Sequence, residues 1–226
     1  NKGLLLLSQG RFAEGWPLYE TRWKKQDAQV LTAHPAPIWL GMESVQGKTV
    51  LIQSEQGLGD TIQLCRYAEA LAKIGAKVIL EVQQPLVRLL SNVNGVSAIS
   101  VKGSKGPAVD FRIPALSLPL AFKTEVNSIP VRHRYLHPSP EIVTRWSAML
   151  GPKTKPRVAL AWSGATIHKN DRNRSIALAD LLPFLPEGIE YFSLQKEVRE
   201  SDEAALKAWR IRDMREHLTD FAETAA

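Results

Sequence analysis

The sequence has very little cysteine, no long apolar run and no run of basic residues. Cys65 is its single cysteine, which excludes an intrachain disulfide and a metal site built from several thiolates. So little cysteine is typical of a reducing compartment, and we expect a cytoplasmic protein. The leucine run at 4–7 is far shorter than the roughly 20 apolar residues of a membrane-spanning helix, so no membrane span is predicted.

Positive charge is in excess, with 29 lysines and arginines against 23 aspartates and glutamates. This balance favours anionic partners such as nucleic acid, phosphorylated metabolites or nucleotide sugars. The excess is scattered, however, and no stretch holds five consecutive basic residues. Nucleic-acid binding is therefore disfavoured, because the sequence indicates neither a concentrated basic face nor a stacking platform.

Residues 1–25 differ in pattern from the rest of the chain and predict two short amphipathic helices around a turn. Four aromatic residues spaced by four, three and four positions fall on one helical face: Phe12, Trp16, Tyr19 and Trp23. A lone helical hairpin cannot bury such a face, so it must pack on the next domain or on preceding repeats. The polar stretch 26–47, with two prolines, is interpreted as a connector.

From residue 48 onward, buried-strand patterns alternate with helical ones, which predicts an α/β protein with a parallel sheet of Rossmann type. Strands are expected at 48–54 and 77–82, with a helix at 60–74 between them. A break around Gly151 and Pro152 ends this first domain at residue 152. The pattern then restarts, and we interpret 153–226 as the start of a second α/β domain that is not finished.

The turn at 55–60, Glu-Gln-Gly-Leu-Gly-Asp, is the sharpest local signal. Glycines between a strand and a helix allow backbone amides to face a ligand. Ile62 occupies the third-glycine position of a dinucleotide fingerprint, whereas Glu81 lies near the position of its ribose-binding acid. An NAD(P)-dependent oxidoreductase therefore stays open. Asp60 either caps the helix or acts as a base for an acceptor hydroxyl.

A second candidate site is the loop that follows the predicted strand at 157–162. Ser163 and Thr166 offer hydroxyl donors, and Lys169 and Arg174 offer positive charge, which together suit a diphosphate. Ligands of open α/β sheets bind at the carboxyl ends of strands, where this loop begins. A solvated basic loop without a ligand is the equally valid alternative.

Three groups of residues together resemble bacterial tetratricopeptide-repeat proteins that carry a C-terminal glycosyltransferase-like domain. The first group resembles the last repeat: residues 5–12, 14–16 and 19–23. The second resembles the opening of the glycosyltransferase-like domain: residues 55–61 and 66–68. The third continues that domain: residues 162–164, 174–176, 193–195 and 220–225. The domain is similar to ADP-heptose glycosyltransferases and, more distantly, to O-linked N-acetylglucosamine transferases.

This resemblance implies a GT-B fold, in which two Rossmann-like domains face each other across a cleft. It implies that Asp60 is the catalytic base and that an acceptor-side domain at 48–152 precedes a nucleotide-sugar domain. The implied substrate-binding residues are Gln56, Gly57, Gly59, Ser163, Gly164, Lys169, Arg174 and Gln195. The family's later donor-site segment has no counterpart here, which is the reason to expect an incomplete second domain.

The resulting hypothesis is a metal-independent, inverting glycosyltransferase-like protein that uses a nucleotide-sugar donor, an unknown protein or saccharide acceptor and no cofactor. The alternative is a catalytically inactive scaffold that binds protein partners through its N-terminal helical repeat. The NAD(P)-dependent oxidoreductase is the other alternative.

Overall fold

The apolar stretch at 49–53 forms the central strand of a parallel sheet, as its pattern predicts. A computed structural model describes residues 2–24, 34–130 and 134–226. The chain divides into two compact units, residues 1–137 and residues 138–226. The strands are β1 Thr49–Gln53, β2 Lys77–Val82, β3 Val96–Val101, β4 Phe111–Pro114, β5 Arg157–Leu160, β6 Glu190–Ser193 and β7 Ile211–Asp213.

The helices of the first unit are α1 Lys2–Ser8, α2 Phe12–Tyr19, α3 Leu58–Leu64, α4 Tyr67–Lys73, α5 Val87–Leu90 and α6 Leu118–Ala121. Those of the second unit are α7 Pro140–Leu150, α8 Leu178–Leu181, α9 Glu200–Ala208 and α10 Phe221–Ala225. Short 3₁₀ segments span Glu20–Lys24, Gln84–Leu86, Ala115–Ser117, Val126–Ser128, Asp171–Asn173 and Leu182–Phe184. None of the helices in these described ranges has the length and apolar composition that crossing a membrane requires.

The first unit contains a four-stranded sheet in the order β3-β2-β1-β4, with all strands parallel. This order is compatible with a Rossmann-like fold. Val50, Leu51 and Ile52 of β1 are fully buried, as expected for a central parallel strand covered on both faces. The 55–60 turn leaves the carboxyl end of β1, which is where such sheets bind ligands.

The predicted helix at 60–74 differs in two ways from the observed one. It begins earlier, at Leu58, so that Gly59 and Asp60 belong to its first turn. It is also interrupted at Cys65 and Arg66, which separate α3 from α4. Helix α4 lies so close to the chain before β3 that only glycine fits at position 95, because a Cβ there would lie 2.6 Å from the Glu69 Cα.

The N-terminal helices α1 and α2 form a hairpin whose aromatic residues stack edge to face. The Phe12 and Trp16 ring centroids are 5.5 Å apart, and those of Trp16 and Tyr19 are 6.2 Å apart. The helix α2 ends at Tyr19, and the 3₁₀ segment Glu20–Lys24, which contains Trp23, follows it. The hairpin packs on its own unit, because Arg22 binds Glu55 and Ser117 of the α/β part.

The stretch expected to be a connector at 26–47 touches the sheet at one isolated bridge within its described part, from residue 34 onward. Ile38 forms a parallel bridge with Arg112 beside β4, and the Trp39 backbone N–H donates to the Arg112 carbonyl. Trp39 and Val45 are buried in the core. These apolar residues make the segment from 34 onward a structural element, whereas 25–33 lies outside the described residues.

The second unit contains a three-stranded parallel sheet in the order β5-β6-β7. It begins at residue 138, earlier than the predicted start at 153. The reason is that α7 packs within this unit: the Trp146 indole N–H donates to Glu223 at 2.9 Å, and Arg145 pairs with the same carboxylate. The core of the unit consists of Trp162, Leu178, Tyr191, Leu206 and Ile211.

Candidate functional site

The 55–60 turn is closed by a hydrogen bond between its own residues. The backbone N–H of Gly57 donates to Asp60 Oδ2 at 2.8 Å, which is the carboxylate half of a capping box. Asp60 therefore stabilises the start of α3, as the structural interpretation of this residue predicts. It is only partly exposed, whereas Gln56, Gly57 and Gly59 beside it are exposed.

The two glycines of this turn are not required by the fold. Gly57 has an extended backbone with φ −82° and ψ 172°, which any residue adopts. A Cβ added at Gly59 would meet no atom within 4 Å, and one at Gly57 would meet only Asp60 Oδ2 at 3.4 Å. Because neither backbone conformation nor packing explains them, the glycines leave open space beside an exposed backbone.

Two residues from neighbouring segments hold the turn from its sides. Gln83 donates to the Gln56 carbonyl at 3.4 Å and accepts from the Thr61 hydroxyl at 2.9 Å. The side chain of Gln56 donates to the Tyr19 hydroxyl at 3.4 Å. The helical hairpin thus contacts the turn that the sequence pattern marks as a ligand site.

A buried ion pair fixes the residue with which the turn begins. Arg22 binds Glu55 in bidentate fashion, with Nε–Oε1 and Nη2–Oε2 distances of 3.0 Å, and the Leu116 backbone N–H donates to the same carboxylate. The side chains of Arg22 and Glu55 are only 10% and 4% exposed. The Arg22 guanidinium also lies over the Tyr19 and Trp23 rings. Sequence reasoning missed this pair, since its members are 33 residues apart.

Glu81, the residue that kept the dinucleotide alternative open, interacts with the protein itself. It accepts a hydrogen bond from the Ser54 hydroxyl at 3.3 Å. Burial raises the pKa of its carboxyl group, and the Ser54 hydrogen bond and the charge of Lys102 counter that shift in part. Lys102 itself donates to the carbonyls of Ser54 and Glu55.

The second group of predicted residues surrounds the loop between β5 and α8, referred to below as the 163–175 loop. The hydroxyl of Ser163 is buried and has no hydrogen-bond partner among the described residues. A Cβ at Gly164 would lie 3.2 Å from Arg174 Nε, so the guanidinium rests directly over this glycine. The structure thus brings Ser163, Gly164 and Arg174 together.

Gln195 supports this loop with its whole side-chain amide. Its Oε1 accepts from the backbone N–H groups of Trp162 and Ser163 at 3.0 and 3.1 Å. Its Nε2 donates to the carbonyls of Ser163 and Glu197 at 2.9 and 3.0 Å. The amide is buried and fully hydrogen-bonded, so Gln195 orients the start of the loop.

The cations of the loop are exposed. Within the described ranges, neither Lys169 nor Arg174 lies within 4 Å of a carboxylate oxygen in an ion pair, and both are on the surface. Asp171, the acidic residue between them, is bound instead by Arg199, which sequence reasoning did not single out. Residues 2–24, 34–130 and 134–226 contain no cluster of three or more His, Cys, Asp or Glu side chains that could hold a metal ion.

The predicted site residues therefore form two sets, one in each unit. The 55–60 turn contains Gln56, Gly57, Gly59 and Asp60, and the second unit gathers Ser163, Gly164, Arg174 and Gln195. Lys169 lies on the exposed part of the 163–175 loop.

Comparison with known proteins gives one distant similarity. The chain is 27% identical over 191 residues to Protein FlbA of Caulobacter vibrioides, an alignment that covers 74% of this chain and 31% of that protein. The match therefore spans about a third of the length of this relative. No family model matches the sequence. No solved structure matches it either.

Proposed function

We propose that this chain belongs to a cytoplasmic, GT-B-type glycosyltransferase-like protein that transfers a sugar from a nucleotide donor to an acceptor. The observation that carries the proposal is the unpartnered, buried hydroxyl of Ser163 in a loop with exposed cations. A buried hydroxyl without a partner is unfavourable, and a ligand oxygen is one group that can satisfy it. Two positive side chains on the same loop favour an anionic ligand.

A diphosphate fits this loop because it presents several negatively charged oxygens on a short group. Arg174 lies over Gly164. Because Gly164 has no side chain, the Arg174 guanidinium lies next to the backbone. Gln195 holds the backbone of Trp162 and Ser163 in place before any ligand arrives. We therefore assign donor diphosphate binding to Ser163, Gly164, Arg174 and Lys169, with Gln195 as support.

Asp60 is proposed as the base that takes the proton of the acceptor hydroxyl. Its carboxylate is partly exposed beside Gly57 and Gly59, and the open space at Gly59 leaves room for an acceptor. The proposed reaction needs a base for the acceptor and positive charge on the departing diphosphate. Neither of these requirements calls for a metal ion.

Donor binding is tested by titrating the full chain with ADP and with nucleotide sugars, followed by ligand-observed NMR. Ser163→Ala and Arg174→Met should weaken binding by about tenfold each. The first removes a hydroxyl that would bond to the ligand, and the second removes a charge-assisted hydrogen bond to it. Lys207→Met removes a positive charge from the exposed side of α9 and serves as the matched control. Equal affinities for all four proteins would contradict the assignment.

The role of Asp60 is tested separately by sugar transfer. In Asp60→Asn the amide oxygen can still accept from the Gly57 N–H, but the side chain can no longer take a proton. We expect normal thermal stability and normal donor binding with transfer reduced by about a hundredfold or more. Full transfer activity in this variant would remove Asp60 from the mechanism.

A second function, a catalytically inactive scaffold, is favoured by the structural contacts of Asp60 and Gln195, which occupy these side chains without a ligand. In that case the helical hairpin would recruit a protein partner. The scaffold predicts no stabilisation by any nucleotide, and loss of partner binding when Trp16 or its aromatic neighbours are replaced. An NAD(P)-dependent oxidoreductase predicts instead tight cofactor binding near Glu81, and a flat titration with NAD(P) would exclude it.

A further inference from the structure

The 163–175 loop contains a carboxylate in the middle of its positive charges. Asp171 lies between Lys169 and Arg174 in sequence, and it is the only acidic residue in this stretch. A free carboxylate there would repel a diphosphate at short range. A loop that binds anions therefore needs Asp171 either turned away or neutralised.

Arg199, which precedes α9, meets this need through three contacts with the loop. Its Nη2 binds Asp171 Oδ2 at 2.5 Å, donates to the Ser175 hydroxyl at 3.1 Å and reaches the Gly164 carbonyl at 3.4 Å. The pair is mostly shielded, with side-chain exposures of 14% for Asp171 and 30% for Arg199. Arg199 is thus in contact with both ends and the middle of the loop.

Ser175 completes the network between these segments. Its hydroxyl donates to Asp171 Oδ1 at 2.6 Å and accepts from the Gly164 backbone N–H at 3.0 Å. The hydrogen bond from Ser175, together with the charge of Arg199, lowers the pKa of Asp171. The carboxylate stays ionised and is held by two fixed donors. The Nε of Arg199 is buried and lacks a partner within the described part of the chain.

We propose that Arg199 is a positioning residue for the anion-binding loop: it neutralises Asp171 and ties it to Ser175 and Gly164, which fixes the loop for a diphosphate. This inference rests on the proposed donor binding. Arg199 is not assigned a direct contact with the ligand. Its role is to cancel the charge of Asp171 and to join the two ends of the loop.

The experiment combines stepwise removal of the two charges of the network with binding of inorganic pyrophosphate and ADP to the full chain. Arg199→Met leaves the Asp171 carboxylate unpaired, and both probes should bind about tenfold or more weakly. Asp171→Asn in the same chain removes the unpaired charge, and the double variant should return to within about threefold of the wild type. Arg215→Met is the matched control, because Arg215 pairs with Glu203 and Asp213, outside the loop.

Restored binding in the double variant is the readout that a merely structural role would not produce. If Arg199→Met binds both probes as well as the wild type, the inference is overturned. It is also overturned if Arg199→Met binds weakly and the double variant does not recover, because charge neutralisation would then not be the cause.

A ligand-free measurement separates this inference from the proposed function. Hydrogen–deuterium exchange of residues 163–175 in the full chain should become faster in Arg199→Met and stay faster in the double variant, because Asp171→Asn does not restore the bonds of Arg199 to Ser175 and Gly164. If the wild type binds neither probe, donor binding fails, and this exchange pattern decides the positioning role alone. Unchanged exchange in Arg199→Met would refute it.

Discussion

Replacing Gly59 by alanine separates what the fold needs at the 55–60 turn from what a ligand needs. Gly59 lies in the first turn of α3. An added Cβ there meets no atom within 4 Å. The fold therefore accommodates a methyl group at this position without a steric clash, and alanine is favoured over glycine in a helix on entropic grounds.

The size of the effect follows from these observations. Glycine-to-alanine replacement at a compatible position stabilises by about 0.4–1 kcal/mol. Because Gly59 is in the first helical turn, where the backbone is less constrained, we expect the lower part of this range. The added methyl group would occupy the open space beside Asp60, so acceptor-dependent sugar transfer should fall by about tenfold or more, which corresponds to about 1.4 kcal/mol.

The assay pairs a urea-unfolding curve with a transfer assay on the same preparation. The matched control is Gly95→Ala, because Gly95 has φ +84° and its Cβ would lie 2.6 Å from the Glu69 Cα. The control should unfold at clearly lower urea concentration. A stable Gly59→Ala protein with reduced transfer supports a ligand role for the turn. A destabilised Gly59→Ala protein, or one with full transfer, would refute the argument.

Two further predictions concern the buried polar groups of the first unit. Arg22→Met leaves the buried Glu55 carboxylate without its partner and should cost about 3 kcal/mol in the free energy of unfolding. The surface variant Arg11→Met, whose ion pair is about half exposed, should leave the urea midpoint unchanged. Similar midpoints for these two variants would contradict the buried-pair interpretation. Since burial raises the pKa of Glu81 in the folded state, its contribution to stability is complete below the unfolded pKa, about 4.3, and is lost as pH rises through the folded value. Glu81→Gln should therefore flatten the pH dependence of stability above pH 4. If the free energy of unfolding, measured with urea at several pH values, falls with pH as steeply in Glu81→Gln as in the wild type, this prediction is wrong.

The elements that the sequence predicts well are those with strong local patterns. The apolar runs at 49–53 and 77–82 become β1 and β2, and the turn between β1 and α3 falls where the glycines indicate. The sequence does not predict the short strand β7, because three residues carry too little periodicity to distinguish a strand from a loop. The prolines of the segment after residue 34 predict a connector, whereas the structure buries Trp39 of that segment beside β4.

The sequence predicts site residues where the residue types of one segment indicate the kind of ligand that they can bind. Hydroxyl, glycine and cationic residues after β5 predict an anion site, and the structure gathers Ser163, Gly164 and Arg174 there. The partners that hold such residues were missed. Arg199 and Asp171 are 28 residues apart, and local periodicity does not show which arginine meets which carboxylate.

The two units nevertheless hold their candidate loops in the same physical way. In each, the first strand of the parallel sheet, β1 or β5, leads into a loop with exposed glycine or small residues. An acidic residue of that loop is bound by an arginine from a distant segment: Glu55 by Arg22, and Asp171 by Arg199. A loop with few apolar contacts needs such anchors, because site residues that are held loosely bind a ligand less tightly. The arginines leave the exposed residues of each loop to a ligand, so hydrogen–deuterium exchange should become faster at residues 55–60 in Arg22→Met and at residues 163–175 in Arg199→Met.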